Sequence, residues 1–223
     1  MSQTNSLPTL AILGGTGKEG PGLALRWASA GYPILIGSRQ AEKAEATAAE
    51  LNHKLGRECA RGLENGAAAR QADLCVLTVV ATAHQAALEG LKEDLQGKIL
   101  VDATARVDFR DPRPPAAPSA ARAAQEILGP GVRVTAAFQN VPASALKKNP
   151  GEKMDLDVLV CADDLESARV VMRLAEAAGM NAYYAGNLDN ALIVEGLTSL
   201  LISINQHHGG HASIRVTGAG PTA

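Results

Sequence analysis

The chain has little excess positive charge and few cysteines. Its 21 Lys and Arg residues are outnumbered by 23 Asp and Glu, giving a formal net charge of −2, which argues against a nucleic-acid-binding surface because such surfaces concentrate Lys and Arg. The three cysteines, Cys59, Cys75 and Cys161, are scattered without a CxxC pair. We therefore predict neither a disulfide framework nor a zinc site, and we interpret Cys75 and Cys161 as small core residues of strands.

Long apolar runs and hydrolase signatures are also missing. No run of 18 apolar residues predicts a membrane-spanning helix, and the polar residues 1–8 lack a signal-peptide core. We therefore expect a cytoplasmic protein. GxSxG and HExxH do not occur, and His207, His208 and His211 have neither acidic partners nor the spacing of a zinc motif. We predict no metal site.

What the chain does have is a glycine-rich turn near its start. An apolar strand runs through residues 10–13 into Gly-Gly-Thr-Gly-Lys-Glu-Gly and then into an apolar helix pattern. In such a GxGxxG turn the first glycine allows the tight turn, the second admits a pyrophosphate and the third seats the helix on the strand, with the phosphates at the helix N-terminus. The predicted dinucleotide-binding residues are Gly15, Thr16, Gly17, Lys18, Glu19 and Gly20. An ordinary glycine-rich turn is the alternative.

The end of the second predicted strand distinguishes NAD from NADP. An NAD site places Asp or Glu there, about 20 residues past the glycines, to bind the ribose. This chain instead has Ser38 and Arg39, with Lys43 one helical turn further on. A hydroxyl, a guanidinium and an ammonium group suit a 2′-phosphate, so we predict NADP(H). The alternative is that Arg39 and Lys43 are solvated charges at a helix start.

Apolar runs alternate with helical patterns along the chain. This alternation predicts an α/β fold, a Rossmann-type, doubly wound, mainly parallel sheet, with an NADP-binding domain over residues 1–162 and a small C-terminal part over residues 163–223. The predicted strands are 9–13, 33–36, 74–79, 99–102, 132–136 and 157–161. The predicted helices among them are 20–30, 41–55, 84–91 and 119–128. The proline-rich residues 111–118 predict a surface loop, either a plain connector or a lid over the site.

The C-terminal part predicts two helices around a short strand, 182–185. The last helix, 190–205, is apolar around most of its circumference, so it must be buried on several sides. We predict that it forms a homodimer contact, and burial within one subunit is the alternative. Glu195 in this helix either reaches solvent or pairs with a donor across the interface.

Residues after the carboxyl ends of strands complete the predicted site, because ligands of open α/β sheets bind there. We expect the residues that end the third predicted strand, and those that follow the fourth and fifth, to line the ribose, the nicotinamide and a second ligand in turn. These residues are Thr78, Val79, Val80, Ala103, Thr104, Phe138, Gln139 and Asn140. His84, near the same crevice, either donates to the cofactor or caps its helix.

Several segments resemble the F420-dependent NADP reductase family. The similarity covers residues 12–26, 36–39, 42–45, 134–138, 160–164, 194–205 and 211–217. The resemblance implies hydride transfer between NADP(H) and the deazaflavin coenzyme F420 as a small-molecule second substrate, with the tail around His211 near that second ligand. We assign no catalytic side chain, because the cofactors carry the chemistry and the protein supplies positioning.

Two departures from the family concern the acceptor. Relatives commonly carry Pro-Trp where this chain has Val80-Ala81, and often histidine where it has Gln139-Asn140. Only 3% of the residues are aromatic, so a bound deazaflavin must be held by aliphatic contacts and backbone N–H groups. Two alternatives stay open: an NADPH-dependent reductase of a flavin, quinone or small carbonyl compound, and a non-catalytic NADP(H)-binding sensor.

Overall fold

The computed structural model describes residues 7–220, so most of the polar start, residues 1–6, and residues 221–223 lie outside it. The strands are β1 (Leu10–Leu13), β2 (Ile34–Ser38), β3 (Ala60–Glu64), β4 (Leu74–Leu77), β5 (Ile99–Asp102), β6 (Arg133–Ala136), β7 (Asp157–Ala162) and β8 (Asn181–Tyr184). The helices are α1 (Gly20–Ser29), α2 (Ala41–Leu55), α3 (Asn65–Gln71), α4 (His84–Leu91), α5 (Ala120–Leu128), α6 (Ala143–Leu146), α7 (Leu165–Ala177) and α8 (Ala191–His208).

All eight strands join in one sheet with the order β3-β2-β1-β4-β5-β6-β7-β8. The first six are parallel, β7 runs antiparallel to β6, and β8 is parallel to β7. Every residue of β1, β2, β4 and β5 is buried, as expected for parallel strands covered by helices on both faces. The predicted doubly wound, mainly parallel α/β fold is therefore confirmed.

Strand β3 and helix α3 were not predicted. Strand β3 lies at the sheet edge and reads Ala-Arg-Gly-Leu-Glu, half-exposed and without an apolar run. Its place depends on Gly62, since a Cβ there would lie 2.0 Å from the backbone nitrogen of Glu45 in α2. What places β3 is therefore the close approach of α2, and hydrophobic periodicity in the sequence carries no signal of such an approach.

One core fills each face of the sheet, with α1, α2 and α7 on one side and α3, α4, α5 and α8 on the other. On the first side, the Trp27 indole N–H donates to the carbonyl oxygen of Leu174 in α7 at 2.7 Å. Its ring meets Phe138 edge-on, with centroids 5.6 Å apart. This aromatic pair joins α1 to the loop after β6.

Arg26 ties α1 to more distant parts of the chain. Its guanidinium is 3% exposed and donates to four backbone carbonyls, those of Leu146, Lys148, Glu152 and Ala178, at 2.7–3.0 Å. Burial lowers the pKa of Arg26 and the nearby Glu152 raises it. Because the guanidinium stays charged in proteins, these bonds fix both the segment between β6 and β7 and the C-terminal end of α7 against α1.

Helix α8 packs against α5 and the loop after β5. Glu195 is 2% exposed and accepts hydrogen bonds from Arg106 Nε at 2.7 Å, from the Arg106 backbone N–H at 2.8 Å and from the Ala120 backbone N–H at 2.9 Å. Both sequence-based alternatives for Glu195 are therefore wrong, because its donors belong to the same chain. The N-terminus of α5 and the loop after β5 supply them.

Two further features of α8 concern its surroundings. The predicted loop 111–118 lies along it, with Ser199 Oγ donating to the Arg113 carbonyl oxygen at 2.6 Å. By length and composition the segment Leu188–His208 could cross a membrane. This is weak grounds for a span, because core helices have the same composition and Glu195 is fixed inside the fold.

Candidate functional site

The carboxyl ends of the central parallel strands meet at one edge of the sheet. The first residue beyond each strand still donates to its neighbour: Thr78 N to the Leu13 carbonyl oxygen at 2.9 Å, and Ala103 N to that of Leu77 at 3.1 Å. Ala137 N donates to the Asp102 carbonyl oxygen at 3.4 Å in the same way. The residues predicted to line the ligands thus lie side by side, in the crevice where open α/β sheets bind them.

The glycine turn between β1 and α1 lies at this edge. Gly15 N donates to the carbonyl oxygens of Ile12 at 3.1 Å and Gly37 at 2.9 Å, and a Cβ on Gly15 would lie 2.6 Å from the Ile12 oxygen. A Cβ on Gly20 would lie 2.7 Å from Gly15 Cα and 2.9 Å from Thr78 Oγ1. These two glycines are therefore required by the protein's own packing.

Gly17 differs from its neighbours. A Cβ there would have its nearest contact at 3.5 Å, with the Gly14 carbonyl oxygen, which is ordinary van der Waals distance. Gly17 and Lys18 are exposed, and Thr16 is partly so. Nothing in the described residues requires glycine at position 17. A ligand that approaches the backbone does require it.

The end of β2 holds the three residues predicted to bind a 2′-phosphate. Ser38 is buried, and its Oγ accepts from Gln40 N at 3.2 Å, which leaves its hydroxyl proton free to donate. Arg39 and Lys43 are exposed, and neither side chain has an ion pair within residues 7–220. Their charges are available to a ligand.

Asn65 is a site residue that sequence reasoning missed. It begins α3 directly after β3, and its Oδ1 accepts from Gly14 N at 3.0 Å. The same Oδ1 would lie 2.7 Å from a Cβ on Gly37. Asn65 therefore holds the start of the glycine turn, and only the recognition of β3 could have revealed it.

A buried His–Asp pair lies under the crevice. His84 Nε2 is 2.6 Å from Asp102 Oδ2, and Asp102 Oδ1 accepts from Thr104 N at 2.9 Å. The prediction that His84 caps its helix is wrong, since Ala83 occupies the N-cap of α4 and the ring points to Asp102. Asp102, missed in the sequence, is a fully buried carboxyl group at the end of β5.

Polar atoms without partners gather beside this pair. Gln139 Nε2 donates to the Asp102 carbonyl oxygen at 2.8 Å, and Asn140 Nδ2 donates to that of Asp157 at 2.9 Å. Because carbonyl oxygens only accept, these bonds fix both amide orientations. Gln139 Oε1, Asn140 Oδ1 and Thr104 Oγ1 are left buried and without a partner in the described part of the chain. An unmade bond at such an atom costs about 1–3 kcal/mol, so these atoms suit ligand N–H and O–H groups.

Glu19 adds a partly buried acid to the turn. Its Oε1 is enclosed and has no hydrogen-bond partner among residues 7–220. Burial, followed by the negative charge of Asp102, raises the pKa of Glu19 from 4.5 to about 8. At neutral pH this carboxyl group is mainly protonated.

The other predicted lining residues differ in exposure. Val80 is 69% exposed and Ala103 3%, and Val79 Cγ1 packs against Gly14. The prediction that Phe138 lines a ligand is wrong, because its side chain is fully buried against Trp27 and does not face the crevice. Its φ of 77° turns the ring inward, so that the two following amides, not the aromatic ring, lie at the edge.

The C-terminal tail reaches the same region. Ser213 Oγ donates to the Asn140 carbonyl oxygen at 3.3 Å, and Val216 N donates to Asp157 Oδ2 at 2.6 Å. His211 and Ser213 line a cavity of about 460 Å³ beside α6 and Arg26. The tail thus lies next to Asn140, on the side where a second ligand is expected.

We expect Gly17→Val to abolish NADPH binding and leave the melting temperature unchanged, because the valine side chain occupies the space that the phosphates need, while its Cβ makes only ordinary van der Waals contact with the protein. Titration calorimetry measures the binding. The contrasting variant Gly20→Val should lower the melting temperature through its contacts with Gly15 and Thr78. A folded Gly17→Val protein that still binds NADPH would remove the dinucleotide site from this turn.

Comparison with known proteins places this architecture in a family. The model of the family described as "NADP oxidoreductase coenzyme F420-dependent" matches residues 9–106. The F420-dependent NADP reductase of Methanothermobacter thermautotrophicus is 39% identical over 221 residues, covering 93% of this chain and 94% of that protein. That of Methanocaldococcus jannaschii is 38% identical, covering 93% and 97%.

Solved structures agree on the fold. A hypothetical protein of Sinorhizobium meliloti superposes with a TM-score of 0.68 at 25% identity, covering 83% of this chain and 88% of that one. A pyrroline-5-carboxylate reductase of Coxiella burnetii superposes with a TM-score of 0.59 at 16% identity, covering 92% and 72%. The chain is 38–39% identical over nearly its full length to the two archaeal F420-dependent NADP reductases. Together with its glycine turn and its fold, this similarity shows that the chain belongs to the F420-dependent NADP reductase family.

Proposed function

We propose that this protein transfers a hydride between NADP(H) and coenzyme F420. The observation that carries the proposal is the crevice itself, in which a glycine turn with room at Gly17 and the free cations Arg39 and Lys43 share one sheet edge with unpaired amide oxygens. Family membership supplies the reaction. F420-dependent NADP reductases of close to the same length are 38–39% identical to this chain.

The proposed nucleotide contacts follow the order of the strands. The turn residues 15–20 bind the diphosphate at the N-terminus of α1. Ser38, Arg39 and Lys43 bind the 2′-phosphate, and the residues after β4 and β5 (Thr78, Val79, Val80 and Ala103) line the ribose and nicotinamide. We propose that His84 contacts the nucleotide only through the edge of its ring that faces away from Asp102. These assignments put NADP(H) across the point between β1 and β4 where the strand order of the sheet reverses.

The acceptor lies beyond the nicotinamide, toward Asn140 and the tail. When bound, NADPH would supply a hydride from C4 to C5 of the deazaflavin, and N1 of the deazaflavin would take a proton from solvent, which leaves NADP+ and the reduced deazaflavin. Gln139 Oε1 and Asn140 Oδ1 accept hydrogen bonds from ring or carboxamide N–H groups, since both atoms are buried and have no partner in the part of the chain that the structure describes. The chain contributes orientation and exclusion of water. Holding the reacting carbons about 3–3.5 Å apart accelerates the hydride transfer.

NADPH oxidation with coenzyme F420, compared with free flavin and a quinone, tests this proposal. We expect turnover with the deazaflavin well above that with the other acceptors. Val80 is exposed, and Val80-Ala81 stands where relatives commonly carry Pro-Trp, which favours a wider acceptor site. A preference for flavin or quinone would therefore support the alternative reductase. NADPH binding without oxidation by any acceptor would indicate a sensor.

Arg39→Ala is expected to weaken NADPH binding roughly 10- to 150-fold, because a charge-assisted hydrogen bond contributes about 1.5–3 kcal/mol. NADH, which lacks the 2′-phosphate, should bind with little change. Calorimetric titration with both nucleotides measures the difference, and Arg173→Ala, an exposed arginine on α7, is the matched control. Equal weakening of both nucleotides would show that Arg39 has only a structural role.

We also propose a cytoplasmic homodimer, with residues 163–223 completing the second-ligand cleft and providing the dimer contact. Three apolar side chains of α8 remain exposed: Ile193 by 69%, Leu200 by 57% and Ile204 by 39%. Their spacing of seven and four residues puts them on one face of the helix. A second copy of this chain is the proposed cover for that face.

Leu200→Glu should convert the dimer to a monomer, since it puts a charge in an apolar contact. Light scattering coupled to size-exclusion chromatography measures the mass. Leu165→Glu, an exposed leucine on α7, should leave the dimer intact. A wild-type monomer, or dissociation by both variants alike, would argue against this contact.

A further inference from the structure

Glu19 belongs to the turn that binds the diphosphate, but its partly buried carboxyl group makes none of the contacts described so far. Glu19 stands between Gly17 and Gly20, directly before α1, and its side chain makes no capping hydrogen bond. The free backbone N–H groups of the same helix start are those that bind a diphosphate. A full negative charge at this point would oppose the charge of the nucleotide.

No donor in the described residues stabilises Glu19 as an anion. Its Oε1 is buried without a partner, and residues 7–220 contain no ion pair to it. A buried carboxylate needs both a cation and hydrogen bonds. The neutral acid has no charge to compensate and can donate its own O–H, so the enclosure of Oε1 favours the protonated form.

The charged groups of neighbouring elements reinforce this preference. Asp102, at the end of β5, acts on Glu19 with a negative charge, and Asp102 in turn faces His84 of α4. Lys18, in the turn itself, is exposed. Arg106, in the loop after β5, is committed to Glu195 of α8. The cations near this edge are thus directed elsewhere or solvated.

We propose that Glu19 controls dinucleotide binding through its protonation state: the neutral acid admits the diphosphate, and the carboxylate repels it. The inference rests on the proposed NADP(H) function of the turn. It adds a proton to the binding step, because a nucleotide that binds only the neutral form draws a proton onto Glu19 at alkaline pH. The nucleotide's own 2′-phosphate ionises below this range, with a pKa near 6 as for other phosphate monoesters.

Affinity measured against pH is the first test. Since Glu19 ionises near pH 8, one-proton linkage lowers NADPH affinity about tenfold between pH 7 and pH 9. In Glu19→Gln, an uncharged variant of the same shape, the dissociation constants at the two pH values should nearly coincide. Glu42→Gln, which removes an exposed carboxylate in the first turn of α2, should retain the tenfold fall.

Proton uptake is the second readout. Calorimetry at pH 8 in buffers of different ionisation enthalpy should show about half a proton taken up per NADPH by the wild-type protein and none by Glu19→Gln. Lysines titrate near 10.4 and contribute equally to both proteins. The difference between the two proteins therefore reports Glu19 alone.

Stability gives a readout without nucleotide. Between pH 4.5 and about 8 the Glu19 site holds more of its proton in the folded protein than in the unfolded chain, because burial raises the folded pKa. This group therefore contributes a loss of stability as the pH rises through the window. Glu19→Gln should become progressively more stable than wild type from pH 5 to about pH 8, as urea unfolding measures. Equal pH profiles of stability would mean that Glu19 ionises normally, which overturns the inference.

The outcomes separate the two proposals. NADPH binding with the same pH dependence in wild type and Glu19→Gln overturns the role of Glu19 and leaves the nucleotide site intact. Absence of binding at every pH overturns both. A pH-dependent wild type beside a pH-independent Glu19→Gln, with the proton uptake described above, supports the inference.

Discussion

The close approach of α1 to the ends of β1 and β4 is the constraint on which the rest of this structure depends. Gly15 and Gly20 bring the helix start within van der Waals distance of the sheet, where Thr78 also packs. That contact sets the helix N-terminus over the crevice and leaves the backbone at Gly17 open. The diphosphate site is thus a consequence of how the first βαβ unit packs, since any larger residue at position 15 or 20 would separate helix from strand.

A second layer of contacts fixes the acceptor side. Phe138 turns inward onto Trp27, which brings Gln139 and Asn140 to the sheet edge, and their NH₂ groups are tied to backbone carbonyls of Asp102 and Asp157. The amide oxygens and the Thr104 hydroxyl are buried and have no hydrogen-bond partner within residues 7–220. A buried polar atom without a partner costs free energy, and donors of a ligand can supply the missing bonds. We interpret the unpaired atoms as binding groups held in place before the ligand arrives.

The sequence predicted the fold class and the family because those depend on local signals. The GxGxxG spacing, the missing acid after β2 and the strand–helix alternation are all readable from neighbouring residues, and helices α2 and α4 were predicted with their observed bounds. Long-range contacts were not readable. Strand β3, the donors to Glu195 and the Asn65 bond to the turn each depend on segments far apart in the chain. Phe138 was expected at the cleft because its strand ends there, and only its positive φ shows that the ring faces the core.

The central claim is that nicotinamide and deazaflavin meet directly at this sheet edge. Single-turnover reaction of NADPH deuterated at C4 on the transferred face, followed by mass spectrometry of the reduced deazaflavin, tests it most directly. Direct transfer predicts deuterium at C5 of the product without exchange into solvent. Product carrying only solvent hydrogen at C5 would contradict direct transfer, and with it the arrangement of the two ligands described above.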